Sequence, residues 1–377
     1  MVIYLDNAAT TKVCNEAVKA ITGCLQVKYG NPSSLHGMGI EAEKIIDNTR
    51  KIIGMALACE PECIYFTSGA TESNNLAIFG TVGAYGKRKR KIVTTSIEHP
   101  SVSECMNKLE ENGFDIVRVS PNSMGEFAVE DFINAVDENT CLVSAMLVNN
   151  ENGYILPIGE IFKAIKRKNP DIITHCDGVQ GFMKIPMKVK ELNADLISIS
   201  GHKVHSAKGV GAIYKKRGIR LEPTCFGGGQ EKGVRSGTES VPLIAGLGAS
   251  VEELAKTIDF RLERAKELQE YFLEKLKKLD DVIINIDNNN MPYIINLSIK
   301  GIRSEIMLHF LEEKGIYVSS GSACSKGAKS SVLREFGIKD EIIDSSIRIS
   351  TSYENTIKEM EMLIDAIVEA KQRFKFN

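Results

Sequence analysis

The sequence predicts an α/β protein with a large domain, whose mainly parallel seven-stranded sheet lies between helices, and a smaller α+β C-terminal domain. Apolar strand-like runs alternate with helical patterns through the first two-thirds of the chain, an order typical of a parallel sheet covered on both faces. After about residue 242, a long, charged amphipathic helical pattern replaces this alternation. With 43% hydrophobic and 25% charged residues in 377, the chain can bury cores of this size.

Apolar runs supply the seven predicted strands of the large sheet: Cys63–Thr67, Lys91–Thr95, Asp115–Val119, Cys141–Val148, Asp171–Cys176, Asp195–Ile199 and Gly211–Tyr214. Helical patterns lie between them at about 71–84, 100–111, 129–137 and 158–168. Ligands of such sheets bind beyond the carboxyl ends of the strands, where the loops gather. Residues that follow these runs are therefore the first candidates for a functional site.

The smaller domain is predicted from the last third of the chain together with its first residues. The long helical pattern runs from about Leu243 to Leu279 and is expected to link the two domains. Short strands and two helices follow, separated by the turn-like Asp287–Asn290, and the extended first dozen residues are expected to pack beside them. The large domain is thus predicted to span residues 14–250, and the small domain residues 1–13 and 251–377.

Charge and hydropathy exclude some classes of function. The net charge of −2 argues against a general role at nucleic acids or membrane surfaces. The basic run Lys87–Lys91 is expected to form a solvated loop. No apolar stretch approaches membrane-spanning length, and the first residues lack a signal-peptide pattern, so we expect a cytoplasmic protein.

One of the nine cysteines has distinctive surroundings. Nearly all of the other eight are expected to be small buried hydrophobic residues: Cys14, Cys24, Cys59, Cys63, Cys105, Cys141, Cys176 and Cys225. Cys324 instead lies in a small, polar stretch that predicts an exposed loop, where Lys326 and Lys329 favour the reactive thiolate. The alternative is an incidental loop cysteine. No zinc-like spacing is present and no resident metal is expected, although Cys324 has the chemistry to ligate a cluster transiently.

A tight turn of small residues, Ser68–Thr71, separates the first sheet strand from a helix. Backbone N–H groups and hydroxyls at a helix N-terminus form a ready anion site. The alternative is plain N-capping of the helix by Ser68 or Thr71.

Two later strand ends complete the pattern of a pyridoxal phosphate site. Asp177 ends a strand and can supply the anion that the cofactor's pyridinium nitrogen needs, while Gln180 can reach the ring hydroxyl. Lys203 follows another strand among small residues, where partial desolvation favours a Schiff base, and Ser200 and His202 can contribute to a phosphate cup. A strand-end Asp is more often a turn residue, and a loop lysine is usually a surface residue. The order of the three strand-end sites favours the cofactor.

With these motifs the chain resembles cysteine desulfurases of the NifS/IscS type, in the class V aminotransferase branch of fold-type I pyridoxal phosphate enzymes. Matching segments span nearly the whole chain: Tyr4–Thr11, Gly30–His36, Phe66–Asn75, Glu98–His99, Val148–Glu151, Ser200–Lys203, Gly227–Gln230, Arg235–Thr238, Ser319–Cys324 and Ser346–Arg348. Asn152, the run Val204–Ala207 and the short basic segment after Cys324 depart from the commonest pattern. These departures concern the choice of partner rather than the cofactor site.

The resemblance implies a role for each matching residue. His99 is expected to stack on the pyridine ring and to act as acid and base. The resemblance places Ala70, Thr71, Ser200 and His202 around the phosphate, Asp177 at the ring nitrogen, and Asn150 and Gln180 near the substrate or the ring oxygen. Thr238 resembles a residue that reaches the phosphate of the neighbouring subunit, which implies a homodimer.

The implied reaction removes sulfur from L-cysteine, gives L-alanine and leaves a persulfide on Cys324 for an acceptor protein. The sulfur would serve iron–sulfur clusters, thio-cofactors or tRNA thiolation. Arg348 would hold the substrate carboxylate with two parallel hydrogen bonds, with a structural salt bridge as the alternative. The alternative functions are a selenocysteine lyase, a class V aminotransferase, a catalytically idle sulfur-relay scaffold and, least favoured, a dinucleotide-binding oxidoreductase.

Overall fold

The computed structural model of the protein describes residues 2–320 and 329–374. The described residues form thirteen β-strands, numbered in chain order: β1 Ile3–Tyr4, β2 Ile64–Thr67, β3 Lys91–Thr95, β4 Asp115–Val119, β5 Thr140–Met146, β6 Ile173–Asp177, β7 Leu196–Ser200, β8 Gly211–Lys215, β9 Val282–Ile284, β10 Ile294–Ile299, β11 Ile316–Tyr317, β12 Ser319–Ser320 and β13 Ser346–Ser350. Thirteen α-helices accompany them: α1 Asn15–Gln26, α2 Gly37–Leu57, α3 Ala70–Tyr85, α4 Pro100–Glu111, α5 Val129–Ala135, α6 Ile158–Lys168, α7 Val189–Leu192, α8 Val241–Ala255, α9 Ile258–Leu276, α10 Ser304–Glu313, α11 Ser331–Glu335, α12 Asp340–Ile343 and α13 Ile357–Phe374.

The large sheet has the seven strands that the sequence predicts, in the order β2-β8-β7-β6-β5-β3-β4. Strand β8 runs antiparallel to its neighbours β2 and β7, and the other neighbouring strands pair in parallel. The prediction of a mainly parallel sheet is therefore confirmed. Strands β2, β3, β5, β6 and β7 all end at the same edge, which brings the turn after β2, Asp177 and Lys203 together.

Every residue of β5, β6 and β7 is buried, as expected for central strands covered on both faces. Successive side chains of these strands enter different cores. Val143 and Ala145 of β5 join a core that includes Phe162 of α6, whereas Leu142 joins a core with Leu76 of α3. The sheet thus lies between two helical layers, in agreement with the predicted fold class.

The C-terminal part of the chain forms a second sheet with the order β12-β13-β10-β9, in which all neighbouring strands are antiparallel. A separate core lies under it, with Phe272 of α9 and Leu363 of α13. Ile3 and Leu5 join this core, and β1 pairs in parallel with β11, so the first residues pack where the sequence predicts. Besides α10 and α13, the described residues include the short helices α11 and α12, which the prediction of two helices omitted. The division of the chain at residue 250 stays a prediction.

The prediction of one helix from Leu243 to Leu279 is wrong, because α8 and α9 are separate helices. Thr257 has non-helical backbone angles, φ −134° and ψ 19°, and its hydroxyl accepts a hydrogen bond from Arg261 Nε at 3.1 Å. The same guanidinium donates to the carbonyl of Leu254 in the last turn of α8. A side chain that caps α8 from the first turn of α9 favours the break. No described helix is long and apolar enough to span a membrane.

Candidate active site

A cleft of about 960 Å³ opens at the carboxyl edge of the large sheet. Ten of the predicted site residues line it: Ala70, Thr71, His99, Asn150, Asp177, Gln180, Ser200, His202, Lys203 and Arg348. Cys324 lies outside the described residues. Residues separated by more than 270 positions therefore meet in one cleft, since Ala70 and Arg348 are both in its wall (348 − 70 = 278).

The N-terminus of α3 forms one end of the cleft. Gly69 precedes the helix with φ +151°, a region that favours glycine, and no side chain in the described part of the chain caps the helix. N-capping by Ser68 or Thr71 is therefore not what the turn provides. Ser68 N donates instead to Glu72 Oε2 at 2.7 Å. The first N–H groups of a 16-residue helix have no intrahelical partner and are available to an anion.

A chain of hydrogen bonds joins Asp177 to His99 across the cleft floor. Asn74 Nδ2 donates to Asp177 Oδ2 at 2.8 Å and to Ser101 Oγ at 2.9 Å. Ser101 Oγ lies 2.9 Å from His99 Nδ1, which also accepts from Ser101 N at 3.1 Å. Val179 N holds the second Asp177 oxygen at 3.0 Å. The carboxylate is thus oriented at both oxygens, and the imidazole is oriented by Ser101.

This geometry fixes the proton on the neutral His99 ring. Because Nδ1 accepts from the Ser101 amide, the ring proton lies on Nε2. Burial lowers the pKa of His99; the Asp177 carboxylate opposes this shift and Lys203 adds to it, so the pKa stays below its ordinary value. His99 is therefore a neutral imidazole near pH 7, with an Nε2–H that can donate a hydrogen bond.

Lys203 is positioned by the N-terminal segment of the chain. Its Nζ donates to Ala8 O at 2.6 Å and to Ala9 O at 2.7 Å. Gln180 Nε2 donates to the same Ala8 carbonyl at 2.9 Å. The main chain of residues 8–9 thus forms part of the site, a contribution that side-chain motifs alone do not predict.

Ser200 and His202 flank Lys203 with different surroundings. The Ser200 hydroxyl is buried without a hydrogen-bond partner among the described residues. His202 Nδ1 lies 3.2 Å from Thr10 Oγ1, and burial together with nearby Lys203 lowers the pKa of His202 to about 4. His202 is therefore neutral at pH 7, and Ser200 has unused hydrogen-bonding capacity.

Arg348 enters the cleft from β13 and is 4% exposed. Its guanidinium forms a salt bridge to Asp6 Oδ1 at 2.7 Å and donates to the carbonyl of Asn150 at 2.9 Å. Its Nε is buried without a partner among the described residues. The salt bridge that the sequence left as the alternative is present, and binding of a substrate carboxylate by Arg348 stays a prediction.

Residues on both sides of the segment 321–328 contact the wall of the cleft. On one side, Ser319 of β12 pairs with Arg348 of β13. On the other side, Lys329 and Ser330 line the cleft, and Ser330 Oγ donates to Glu151 Oε2 at 2.5 Å. In the sequence, Cys324 therefore lies between two described residues that contact the wall of the predicted site.

Among the other eight cysteines, the expectation of burial fails most clearly for Cys225, which is exposed. Cys14 and Cys59 are partly exposed, and the remaining five are buried. Cys225 lies in the surface stretch 221–230, whose glycines and polar residues leave little apolar surface to bury it. Its exposure makes it a natural control for Cys324.

Thr238 does not reach the cleft of its own chain. It is exposed and lines a smaller cavity of about 90 Å³, which shares Ser68, Gly209 and Val210 with the wall of the main cleft. Nearby, Arg235 forms a salt bridge to Glu72 at 2.8 Å. The expected reach of Thr238 into the neighbouring subunit stays a prediction.

Sequence reasoning missed Asn74, Ser101 and Glu98. The signal for Asn74 was a polar residue in an apolar helix, since α3 is buried against the sheet. Glu98 is buried beneath His99, where Thr95 Oγ1 and Met146 N donate to its Oε1, and burial raises its pKa to about 8. Its importance depends on contacts across two strands, which one sequence does not reveal.

Asn152, a departure from the commonest pattern, is fully buried. Its Oδ1 accepts from Tyr154 N at 2.9 Å, and its own N–H donates to Asn149 Oδ1 at 3.1 Å. It therefore stabilises the turn that carries Asn150 and Glu151. The role of this departure in partner choice stays a prediction.

Together, the fold and the cleft define a class of α/β enzymes. In this class, a lysine, an acidic residue and a helix N-terminus line one cleft at the carboxyl edge of the sheet, as Lys203, Asp177 and the start of α3 do here. The aminotransferase class-V family matches residues 3–363, and the chain belongs to this family. It is 38% identical to the cysteine desulfurase of Nostoc sp. over 378 residues, covering 99% of this chain and 94% of that protein.

Solved structures agree with this membership. A NifS-like protein superposes with a TM-score of 0.94 at 36% identity, covering 99% of this chain and all of that chain. A structure described as SspA in complex with cysteine superposes with a TM-score of 0.83 at 32% identity, covering 94% of this chain and all of that chain. The resemblance to the NifS/IscS type that the sequence motifs indicate is therefore confirmed.

Proposed function

We propose that the protein is a pyridoxal phosphate-dependent cysteine desulfurase that transfers the sulfur of L-cysteine to Cys324 and releases L-alanine. The observation that carries the proposal is the meeting of Lys203, Asp177 and the N-terminus of α3 in one cleft. The nearly full-length similarity to a curated cysteine desulfurase supports the choice of reaction.

The residues of the cleft fit pyridoxal phosphate. The uncapped N-terminus of α3 and the unpartnered hydroxyl of Ser200 offer donors for a phosphate dianion. Asp177, held by Asn74 and Val179, is an oriented anion for the ring nitrogen. Lys203 supplies the amine for covalent attachment. When bound, the cofactor supplies the electron sink for removal of the substrate α-proton.

The protein's own residues carry out the remaining steps of the reaction. Lys203, once freed by the substrate amine, takes the α-proton and, as an ammonium, returns it to the product carbon, while the Nε2–H of neutral His99 donates a hydrogen bond to the departing product side. Arg348 exchanges Asp6 for the substrate carboxylate. The Cys324 thiolate attacks the substrate sulfur. The carbon–sulfur bond breaks as the sulfur–sulfur bond forms, so its electron pair stays with the alanine carbon and is protonated.

The sequence position of Cys324 is compatible with this attack. Cys324 follows Ser320 by four positions (324 − 320 = 4), and an extended chain spans at most about 3.5 Å per residue, so the two residues are separated by at most roughly 14 Å. Ser319 pairs with Arg348 in the wall of the cleft, and Ser330 lines the cleft.

The finer parts of the proposal concern the acceptor and the setting. We infer transfer of the sulfur to an acceptor protein that serves iron–sulfur clusters, thio-cofactors or tRNA thiolation, in the cytoplasm. The support is chemical: a protein-bound persulfide needs a second thiol to receive its outer sulfur. Co-purification of persulfide-loaded protein with its acceptors identifies the pathway.

The direct test is incubation of the purified protein with L-cysteine and a thiol reductant, followed by quantification of alanine and sulfide. Equal amounts of both products are expected. Cys324→Ser should lose sulfide release, whereas Cys225→Ser, which removes the exposed cysteine, should retain it. Lys203→Ala should lose the visible absorbance of the lysine-bound cofactor.

Four results would contradict the proposal. Keto-acid-dependent turnover without sulfide would indicate an aminotransferase, and selective turnover of selenocysteine would indicate a lyase. Full persulfide transfer by Cys324→Ser would refute the nucleophile. A colourless protein that takes up no pyridoxal phosphate would favour a relay scaffold instead.

A further inference from the structure

A second lysine, Lys184, contacts the predicted site without belonging to any of the motifs. It lies in the turn after β6, and its Nζ donates to Gln180 Oε1 at 2.8 Å. With Lys203, it also lines a cavity of about 20 Å³ behind the cleft. Lys184 therefore lies beside two of the predicted site residues, Gln180 and Lys203.

The hydrogen bond to Lys184 fixes the orientation of the Gln180 amide. An ammonium group only donates, so the amide oxygen must face Lys184. The amide nitrogen is then left to donate to Ala8 O at 2.9 Å, and its second hydrogen is available on the cleft side. Lys203 donates to the same carbonyl, so Gln180 and Lys203 meet at Ala8 O.

The backbone of this turn has no room to shift toward the sheet. A Cβ on Gly181 would lie 2.7 Å from Leu147 Cδ2, and one on Gly178 would lie 2.9 Å from Ile197 Cγ2. Gly181 and Ile185 continue the turn through the hydrogen bond from Ile185 N to Gly181 O at 3.1 Å. The amine of Lys184 is therefore placed by a turn that packs tightly on the sheet.

The surroundings of Lys184 are unfavourable for a cation. Burial, together with the positive charges of Lys203 and Arg348, lowers its pKa to about 7. The charged and titratable groups that face it from the packed elements are these: Lys203, Arg348, His202, His205, Arg261, Tyr293 and Tyr353. Its hydrogen-bond acceptor at Gln180 is a neutral amide. An amine in this setting does not stabilise the fold, which points to a role in the site.

We propose that Lys184 is a positioning residue that holds the Gln180 amide as a donor toward the ring oxygen of pyridoxal phosphate. The inference rests on the proposed function. Without Lys184, the hydrogen bond to Ala8 O is the restraint that remains on the amide among the described residues. An amide that rotates would turn its oxygen toward the ring oxygen, so that two acceptors oppose each other. Lys184 therefore acts on the cofactor through Gln180.

The test combines Lys184→Met, Gln180→Met and the double variant, with Lys188→Met as a matched control because Lys188 is exposed and pairs with Glu191. Apo-protein is titrated with pyridoxal phosphate, and the dissociation constant and the absorbance maximum of the bound cofactor are recorded. Lys184→Met should bind about tenfold more weakly, the loss expected for one good hydrogen bond. It should also shift the absorbance maximum as Gln180→Met does. In the Gln180→Met background it should have no further effect.

Stability of the apo-protein provides a readout that needs no cofactor. The lysine loses its proton at about pH 10.4 in the unfolded chain and at about pH 7 in the folded protein. The unfolded state therefore binds more protons between these two pH values. The free-energy cost of burying the charged Lys184 is therefore present in full below pH 7 and disappears as the pH rises toward ~10.4. Lys184→Met should unfold with a higher free energy than the wild type at about pH 6, and this difference should shrink at about pH 10.

Each contrary outcome has a distinct meaning. Additive effects in the double variant, or wild-type affinity and absorbance in Lys184→Met, would refute the role of Lys184. A loss of stability in Lys184→Met at about pH 6 would show that the lysine is structural. A wild-type protein that takes up no pyridoxal phosphate would refute the proposed function and, with it, this inference.

Discussion

At the scale of single residues, the cleft depends on polar groups that have few alternative partners. Asn74 donates to both Asp177 and Ser101 from a fully buried position. Sequence motifs identified Asp177 and His99, because these residues carry the chemistry. They missed Asn74, because its role is to join two groups that approach only after the sheet and α3 have folded.

Asn74→Ala is expected to weaken pyridoxal phosphate binding and to lower the free energy of unfolding by about 1–3 kcal/mol, because a buried carboxylate and hydroxyl each lose a donor. Cofactor titration and urea unfolding measure the two effects. The control is Asn75→Ala, whose amide contacts only the carbonyl of Thr71 in its own helix. Equal losses in both variants would contradict the assigned role of Asn74.

Glu98 should make stability depend on pH in a defined direction. Burial raises its pKa to about 8, so between about 4.3 and 8 the folded protein keeps a proton that the unfolded chain has released. The contribution of neutral Glu98 to the free energy of unfolding is therefore present at low pH and is lost as the pH rises through 8.

Glu98→Gln stays neutral, and its free energy of unfolding relative to the wild type should therefore increase from about pH 5 to about pH 9. Denaturant unfolding at both values checks this, with exposed Glu111→Gln as the control. A flat difference across this range would show that Glu98 is not held as a neutral acid.

At the scale of elements, the sequence predicts the strands of the large sheet well because each is a buried apolar run between turn residues. It fails at the junction of α8 and α9, where helical periodicity continues across the break. The break depends on the contact of Arg261 with Thr257 and with the end of α8, and this contact forms only in three dimensions. The antiparallel direction of β8 was also not predictable from alternation alone.

Gly211, at the start of β8, sets the distance between the sheet and the turn before α3. A Cβ there would lie 2.7 Å from Gly69 Cα and 2.7 Å from the carbonyl oxygen of Ile199. Gly211→Ala should therefore displace the N-terminus of α3, weaken cofactor binding and cost about 1–3 kcal/mol of unfolding free energy.

Cofactor titration and thermal unfolding check this prediction. Gly23→Ala, inside α1 with open space around its Cα, is the control and should be neutral or stabilising, by up to about 1 kcal/mol. Wild-type cofactor affinity in Gly211→Ala would contradict the placement of the anion site.

At the scale of the whole molecule, the N-terminal segment connects the second core to the cleft. Leu5 packs in that core, Asp6 pairs with Arg348, and Ala8 accepts from Lys203. The sequence predicted that this segment packs beside the C-terminal elements, but its use of main-chain carbonyls in the site has no sequence signature. The predicted homodimer adds Thr238, which is exposed in the single chain.

Mixed dimers test whether Thr238 serves the partner's site. Lys203→Ala and Thr238→Val subunits are each expected to have low activity. A dimer with one of each contains one site with both native residues if Thr238 acts across the interface, so co-refolding should restore activity. No gain over the parent variants would show that Thr238 acts within its own chain or not at all.

The most direct measurement of the central claim is the mass of the peptide that contains Cys324 after brief exposure of the purified protein to L-cysteine without reductant. We predict that this peptide gains one sulfur atom, that a reductant removes it, and that the peptide with Cys225 does not change. Alanine formation with an unmodified Cys324 peptide, or sulfur on Cys225 instead, would contradict the account.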